Sequence, residues 1–375
     1  MKDVQGAGVR GQGAGVRSQE AGALKKLVRK LTAQWFSLAL LAMALLLPVL
    51  VNKFYLGLLV EVFVLAVFAL SYNLLLGYIG IISFGHAMFF GAGAYVAALT
   101  LVRIPWKNLT QSWALPRGPE LFMSVVPLLV IVLGVLLITG LLGVLIGIVT
   151  LRVRGVYFAM VTLAFAEVLA ILAASSELRP FTGGDEGLHD LPVPAWISPT
   201  AQRVLFYYLA LAFLVSMYLL VRRIVNSPTG RVLIAIRENE QRAASIGYNP
   251  FQFKLIGIVV AGMIAGLAGA LHALYLRNIT PETTLGVGRT IEALLMTIIG
   301  GVGTLLGPVI GAIVNRLLGN FLADQPLFRT TWQLILGIGY ILLVLFFPYG
   351  IVGTWQMRRL DVRGGWRRLV RLVKR

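Results

Sequence analysis

Three carboxylates lie within long apolar stretches of the chain, at Glu61, Glu167 and Glu292. A charged carboxylate is costly inside a membrane, so one in a spanning segment usually faces the protein interior or water. Each could therefore contact the ammonium group of a small solute, or could pair with Arg316, which also lies in an apolar stretch. These side chains are the first candidates for a binding role.

A histidine and a glycine-rich run are the other candidates. His86 interrupts the apolar segment SFGHAMFFGAGAY, where it could line a path through the protein, bond to another helix, or be purely structural. Gly300, Gly301 and Gly303 open a run that could expose backbone amides and carbonyls to a ligand. Close packing between helices is the competing interpretation of these small residues.

Several kinds of chemistry are excluded by what the sequence lacks. The chain has no cysteine, and its three histidines are scattered without the spacing of metal ligands. No lysine follows a glycine, so a Gly-Lys-Ser/Thr phosphate loop is impossible. We therefore expect no catalytic residue, no metal and no cofactor.

The composition predicts a membrane protein with several spans. Of the 375 residues, 58% are hydrophobic and 13% charged, and the mean hydropathy is +0.86. Soluble domains are far more polar. An all-α fold follows, because a helix satisfies its backbone hydrogen bonds within the bilayer.

The net charge of +18 is concentrated in four places. Residues 1–30 carry seven basic and two acidic side chains, 222–254 carry six and two, and 352–375 carry eight and one, while Arg152 and Arg154 add two positive charges. Basic residues accumulate in cytoplasmic loops, so all four regions, including both termini, are expected on the cytoplasmic side. In so apolar a chain, anionic lipid is a better partner for this charge than nucleic acid.

Hydropathy divides the chain into three parts. Residues 1–34 are expected to be a disordered basic tail, 35–351 the membrane domain, and 352–375 a basic amphipathic tail on the inner leaflet. The membrane domain is predicted to hold about eight full spans. They are 35–51, 54–79, 81–101, 121–150, 156–174, 203–221, 252–276 and 332–347.

Residues 290–319 break the alternation of spans. Five of the residues between Gly300 and Pro308 are glycine or proline, which disfavours one straight helix. A single crossing here would also place the basic C-terminal tail outside. We therefore predict a re-entrant pair of half-helices that enters and leaves from the outer side.

A polar segment at 229–250 separates two apolar runs in the second half of the chain. Val232, Leu233 and Ile236 share one helical face, which predicts a short amphipathic helix on the cytoplasmic surface. Gly247 and Asn249–Pro250 are expected to end it. This segment could dock a soluble partner, or could be an ordinary cytoplasmic loop.

The order of several blocks resembles the LivM-type permease subunits of branched-chain amino acid ABC importers. SYNLLLGYIGIISFGHAMFFGAGAYVAALT at 71–100 carries the resemblance, as do RENEQRAASIGYNP, AGMIAGLAGALHALY and TIIGGVGTLLGPVIGAIV within 231–314. The likeness covers most of residues 54–350. It implies an inner-membrane permease that is not itself an enzyme. It also implies a second homologous permease, two cytoplasmic ATP-binding subunits and an external amino-acid-binding protein.

In such importers a cytoplasmic helix seats in a groove of the ATPase, and 229–250 is similar to it in position and character. The general importer pattern, Glu-Ala-Ala followed by glycine, is only approximate here, because Arg242 stands in place of the acid. The resemblance implies an ATPase-coupling role for Arg237, Glu238, Asn239, Glu240, Arg242, Ala243, Ala244 and Gly247. The candidates for the translocation path are Glu61, His86, Glu167, Glu292, Gly300, Gly301 and Gly303.

Two alternatives stay open at this point. A permease for urea or short amides would share this architecture, and an ion-coupled secondary transporter would also place carboxylates in its spans. An intramembrane enzyme is poorly supported by three scattered histidines and no cysteine.

Overall fold

A computed structural model describes residues 44–48, 51–104, 120–194, 197–326, 331–347 and 349–354. The chain divides into two units, Met1–Asn52 and Lys53–Arg375. In the first unit, residues 44–48 are helical. Most of the predicted 35–51 span lies outside the described residues, as do the tail at 1–34 and residues 355–375 of the basic tail.

Helices are the regular secondary structure of the described part of the second unit, and an isolated bridge between Leu188 and Ile279 is the only β-pairing found there. This confirms the predicted all-α class. The longer helices are α1 (Lys53–Asn73), α2 (Ala87–Arg103), α3 (Glu120–Thr150), α4 (Val156–Ala174), α5 (Arg203–Asn226), α6 (Pro228–Glu238), α7 (Glu240–Ser245), α8 (Pro250–Leu276), α9 (Val287–Gly300), α10 (Gly307–Asp324) and α11 (Trp332–Phe346).

Six helical stretches in the described residues are long and apolar enough to cross a membrane: Lys53–Ile79, Val125–Thr150, Val156–Ala174, Arg203–Asn226, Pro250–Leu276 and Trp332–Thr354. The predicted span at 81–101 is shorter than expected, because α2 begins only at Ala87. The preceding turn ends at Gly80 in the left-handed region (φ 79°), and the chain then runs non-helically to residue 86.

Helix α1 forms the centre of the bundle. Residues 62–73 are all buried, and α5, α8, α9 and α10 pack around them. A helix that is apolar on every side suits the core of a large protein or the interior of a membrane. After Asn73 the helix widens into a π-helical turn, Leu74–Ile79.

Helices α2 and α8 cross at glycines. A methyl group on Gly93 would overlap the carbonyl oxygen of Gly266, and one on Gly269 would overlap that of Phe90. The small residues of the SFGHAMFFGAGAY segment therefore allow this close approach.

Helices α9 and α10 occupy the predicted broken segment and pack against each other. The helical path stops at Gly301 and resumes at Gly307, within the glycine-rich run. Gly301 (φ 121°) and Gly303 (φ 76°) adopt conformations that other residues rarely take, so glycine is required for this turn.

Candidate functional site

Two of the predicted membrane carboxylates form ion pairs inside the bundle. Glu61 on α1 accepts a hydrogen bond from the Arg316 guanidinium of α10 at 2.5 Å, and Glu292 on α9 pairs with Arg289 at 2.7 Å. The Glu61 side chain is 13% exposed, against 37% for Arg316. Two roles were expected for Glu61, contact with a solute or pairing with Arg316. The structure shows the pair with Arg316.

Asn315 places the two ion pairs side by side. Its amide nitrogen donates to Glu292 at 3.2 Å, and its amide oxygen accepts from the Tyr340 hydroxyl of α11. Since Asn315 and Arg316 are neighbours on α10, this helix is connected to α1, α9 and α11 at one level. A polar network specifies a single packing when its groups are satisfied, and among the described residues Arg316 Nε is the one buried nitrogen of this network without a partner.

His272 and Phe90 border this network. The His272 ring is buried and lies edge-on to Phe90, with 5.2 Å between ring centroids. The Arg289 guanidinium lies 5.7 Å from the centroid of the same Phe90 ring, within cation–π range. Neither His272 nor Arg289 was among the predicted site residues, although a histidine inside GLAGALHALY was a visible signal.

Glu167 lies apart from the ion pairs. It is exposed on α4, on the same surface as Tyr157, Met160 and Ile171. The outer surface of α3 differs, because it presents leucine at every fourth position: Leu129, Leu133, Leu137, Leu141 and Leu145. The exposed surface of α4 therefore carries a carboxylate, whereas the exposed surface of α3 is purely aliphatic.

His86 belongs to the packed interior. Its Nε2 lies 2.9 Å from the Ser71 hydroxyl, and its ring stacks on Phe68 at 5.6 Å. Ser71 donates its own proton to the Phe68 carbonyl at 2.6 Å, so the hydroxyl accepts from Nε2–H. This geometry favours the structural interpretation of His86.

The glycine run is bound by protein rather than open to a ligand. Asn73 of α1 accepts from the Gly303 amide and donates to the Thr304 carbonyl, both at 2.9 Å. Gly300 packs directly on Gly307. The Asn73 side chain therefore occupies the Gly303 amide, which favours the close-packing interpretation of the run.

The polar segment forms two helices instead of one. Helix α6 buries Leu233 and Ile236 and ends at Glu238, while Asn239 caps α7 by accepting from the Arg242 amide at 2.9 Å. The predicted end at Gly247 follows α7, which ends at Ser245, and Asn249–Pro250 begin α8. An asparagine with a free side-chain oxygen starts a helix readily, and this is the signal that was missed.

The predicted coupling residues differ in their surroundings. Six of them are exposed, namely Arg237, Glu238, Asn239, Arg242, Ala244 and Gly247, whereas Ala243 is buried and Glu240 pairs with Lys254 at 2.8 Å. Arg237 donates to the Gly77 carbonyl in the π-helical turn of α1. Beyond these predicted residues, Ile246 is 71% exposed within an otherwise polar segment.

Residues 54–345 match the family described as "Branched-chain amino acid transport system / permease component". The chain belongs to this family. It is 27% identical over 341 residues to the "High-affinity branched-chain amino acid transport system permease protein LivM" of Salmonella typhimurium, which covers 84% of this chain and 74% of the relative.

More distant permeases match as well. The "Probable branched-chain amino acid transport permease protein LivM" of Methanocaldococcus jannaschii is 25% identical over 309 residues (76% of this chain, 89% of the relative). The LivH permease protein of Salmonella typhimurium is 22% identical over 314 residues (79% and 93%). No solved structure matches significantly. These relatives are transport permeases rather than enzymes, and this multi-pass chain shares their family.

Proposed function

We propose that this chain is the permease subunit of an ATP-driven importer of branched-chain amino acids. It would form half of a translocation path with a second, homologous permease and couple to two cytoplasmic ATP-binding subunits. An external binding protein would deliver the amino acid. The observation that carries this proposal is the pair α6–α7, a polar projection whose inner side packs on the membrane helices and whose outer side is exposed.

The proposed topology places the protein in the inner membrane with both termini in the cytoplasm. The six long helices, α2 and the stretch at 35–51 would supply eight spans. The α9–α10 pair would enter from the outer side, turn beside α6 and return. The basic charge at 222–254 and 352–375 supports this orientation.

The energy source tests this function directly. We expect leucine uptake by cells expressing the full transporter to follow the ATP level and to continue when a protonophore removes the proton gradient at constant ATP. A variant of the partner ATPase that cannot hydrolyse ATP is the matched control and should abolish uptake. Loss of uptake with the protonophore, while ATP stays high, would instead support an ion-coupled secondary transporter.

We also propose that the surface of α4 with Glu167 faces the second permease and the path between them, whereas α3 faces lipid. Exposed carboxylates in spans face water or protein, and aliphatic surfaces suit hydrocarbon. Glu61 and Glu292 would border the same path as ion pairs, with His86, Gly300, Gly301 and Gly303 supporting it from within.

A charge added to the α3 surface should impair membrane insertion, whereas a charge removed from the α4 surface should impair uptake. Leu137→Asp should lower membrane insertion, at a cost of about 3 kcal/mol for a charge at the centre of a span. Glu167→Leu should insert normally and lose uptake. Insertion is measured as the membrane-integrated fraction, and uptake with labelled leucine. Normal uptake by Glu167→Leu would contradict the assignment of α4.

A further inference from the structure

Arg237 reaches from the cytoplasmic helix α6 into the end of α1. Its guanidinium donates to the carbonyl of Gly77, which belongs to the π-helical turn Leu74–Ile79. The carbonyls at a helix end lack partners within the helix, and this helix ends at Gly80. A hydrogen bond from a charged donor is about twice as strong as a neutral one. Arg237 thus holds α6 against α1.

Asn73, at the start of the same turn, binds the α9–α10 loop. This fully buried side chain makes two hydrogen bonds of 2.9 Å to the α9–α10 loop, one with Gly303 and one with Thr304. Gly77 leaves room for this arrangement, because a methyl group there would overlap both the Asn73 amide oxygen and the Gly303 nitrogen. Three elements distant in sequence therefore meet at one π-helical turn.

We propose that Arg237 and Asn73 form a rigid joint that makes α6, the end of α1 and the α9–α10 loop move as one body. The proposal rests on the coupling role of α6–α7 given above. In this proposal Arg237 is a positioning residue. It transmits movement of α6 to the end of α1 and does not contact the ATPase. Through the loop, displacement of α6 would reach α10, which carries Asn315 and Arg316 of the polar network.

A single engineered disulfide can replace the Arg237 hydrogen bond. The chain has no cysteine, so two introduced cysteines have only each other as partners within it. A Cβ atom built on Gly80 lies 3.4 Å from Cβ of Arg237, close to the separation of about 3.5–4.5 Å found in disulfides. Gly80→Cys combined with Arg237→Cys should therefore bridge α6 to the end of α1.

The experiment uses the complete transporter, with its permease, ATP-binding and binding-protein subunits, in proteoliposomes. Arg237→Cys should keep the ATP-binding subunits bound and hydrolysing ATP, yet lower leucine uptake about tenfold, as expected when a charge-assisted hydrogen bond is lost. The double variant should regain uptake when oxidised and lose it again in reductant. Asn73→Leu should lose uptake in the same way, with no response to oxidation.

Three controls separate the joint from the other interpretations. Gly80→Cys alone measures the strain of a side chain at φ 79°. Comparison of the oxidised and reduced double variant separates the effect of the disulfide from the effect of the two substitutions on folding. Ile246→Asp, on the exposed side of the segment, should release the ATP-binding subunits.

Release of those subunits by Arg237→Cys would make Arg237 a docking residue and overturn the joint. An inactive oxidised form, or failure of the disulfide to form, would also overturn it. If the wild-type chain assembles with no ATP-binding subunit, the proposed function fails instead.

Discussion

Arg316→Met is expected to lower the free energy of unfolding by about 3 kcal/mol and to abolish uptake. The substitution leaves the Glu61 carboxylate, which is 13% exposed, without its positive partner. An unpaired charge in such surroundings costs more than the pair itself contributes. Because Arg316 is 37% exposed, we expect the loss in free energy of unfolding to lie at the lower end of the range measured for buried ion pairs. Unfolding of the purified chain in detergent measures the loss.

The double variant Glu61→Gln, Arg316→Met is the matched control. It removes both charges and keeps similar side-chain volumes, so it should recover most of the lost stability. Recovery of stability without recovery of uptake would show that the pair serves transport as well as folding. Equal stability of Arg316→Met and the wild type would contradict the ion pair.

Gly269→Val is the second substitution with a large expected effect. A side chain at this position would overlap the Phe90 carbonyl where α8 crosses α2. Backbone atoms cannot move aside as a flexible side chain can, so the helices must separate. Inserting atoms into a packed core usually costs 1–3 kcal/mol, and we expect about 3 kcal/mol or more here. The readout is the yield of monodisperse protein and its Tm.

Gly288→Ala provides the comparison for this prediction. Gly288 lies in α9, and no described atom outside its own neighbourhood lies within 4 Å of the position its Cβ would take. The exchange should leave Tm unchanged or raise it, because alanine favours helix over glycine by about 1 kcal/mol. Similar losses in both variants would show that the α2–α8 crossing is not the cause.

The broken pair α9–α10 and the polar segment show how far sequence reasoning extends. Glycine and proline act locally, so the interruption between residues 300 and 307 was predictable. The division of the polar segment into α6 and α7 was not predicted. An asparagine at this position can either continue a helix or cap a new one with its side chain, and the local sequence does not distinguish these outcomes. The paired state of Glu61 was among the expectations, but Arg289 as the partner of Glu292 was not.

The sequence by itself determined the all-α membrane class, the family and the absence of a phosphate loop, because hydropathy, local order and missing residue types are properties of the linear chain. Only the tertiary structure decided which polar groups meet. Glu61 and Arg316 are separated by 255 positions, and Asn73 and Gly303 by 230. Such pairs depend on how the helices cross, and many alternative crossings are compatible with the same apolar pattern. The contact between Arg237 and Gly77 and the enclosure of His86 were therefore visible only once the bundle was formed.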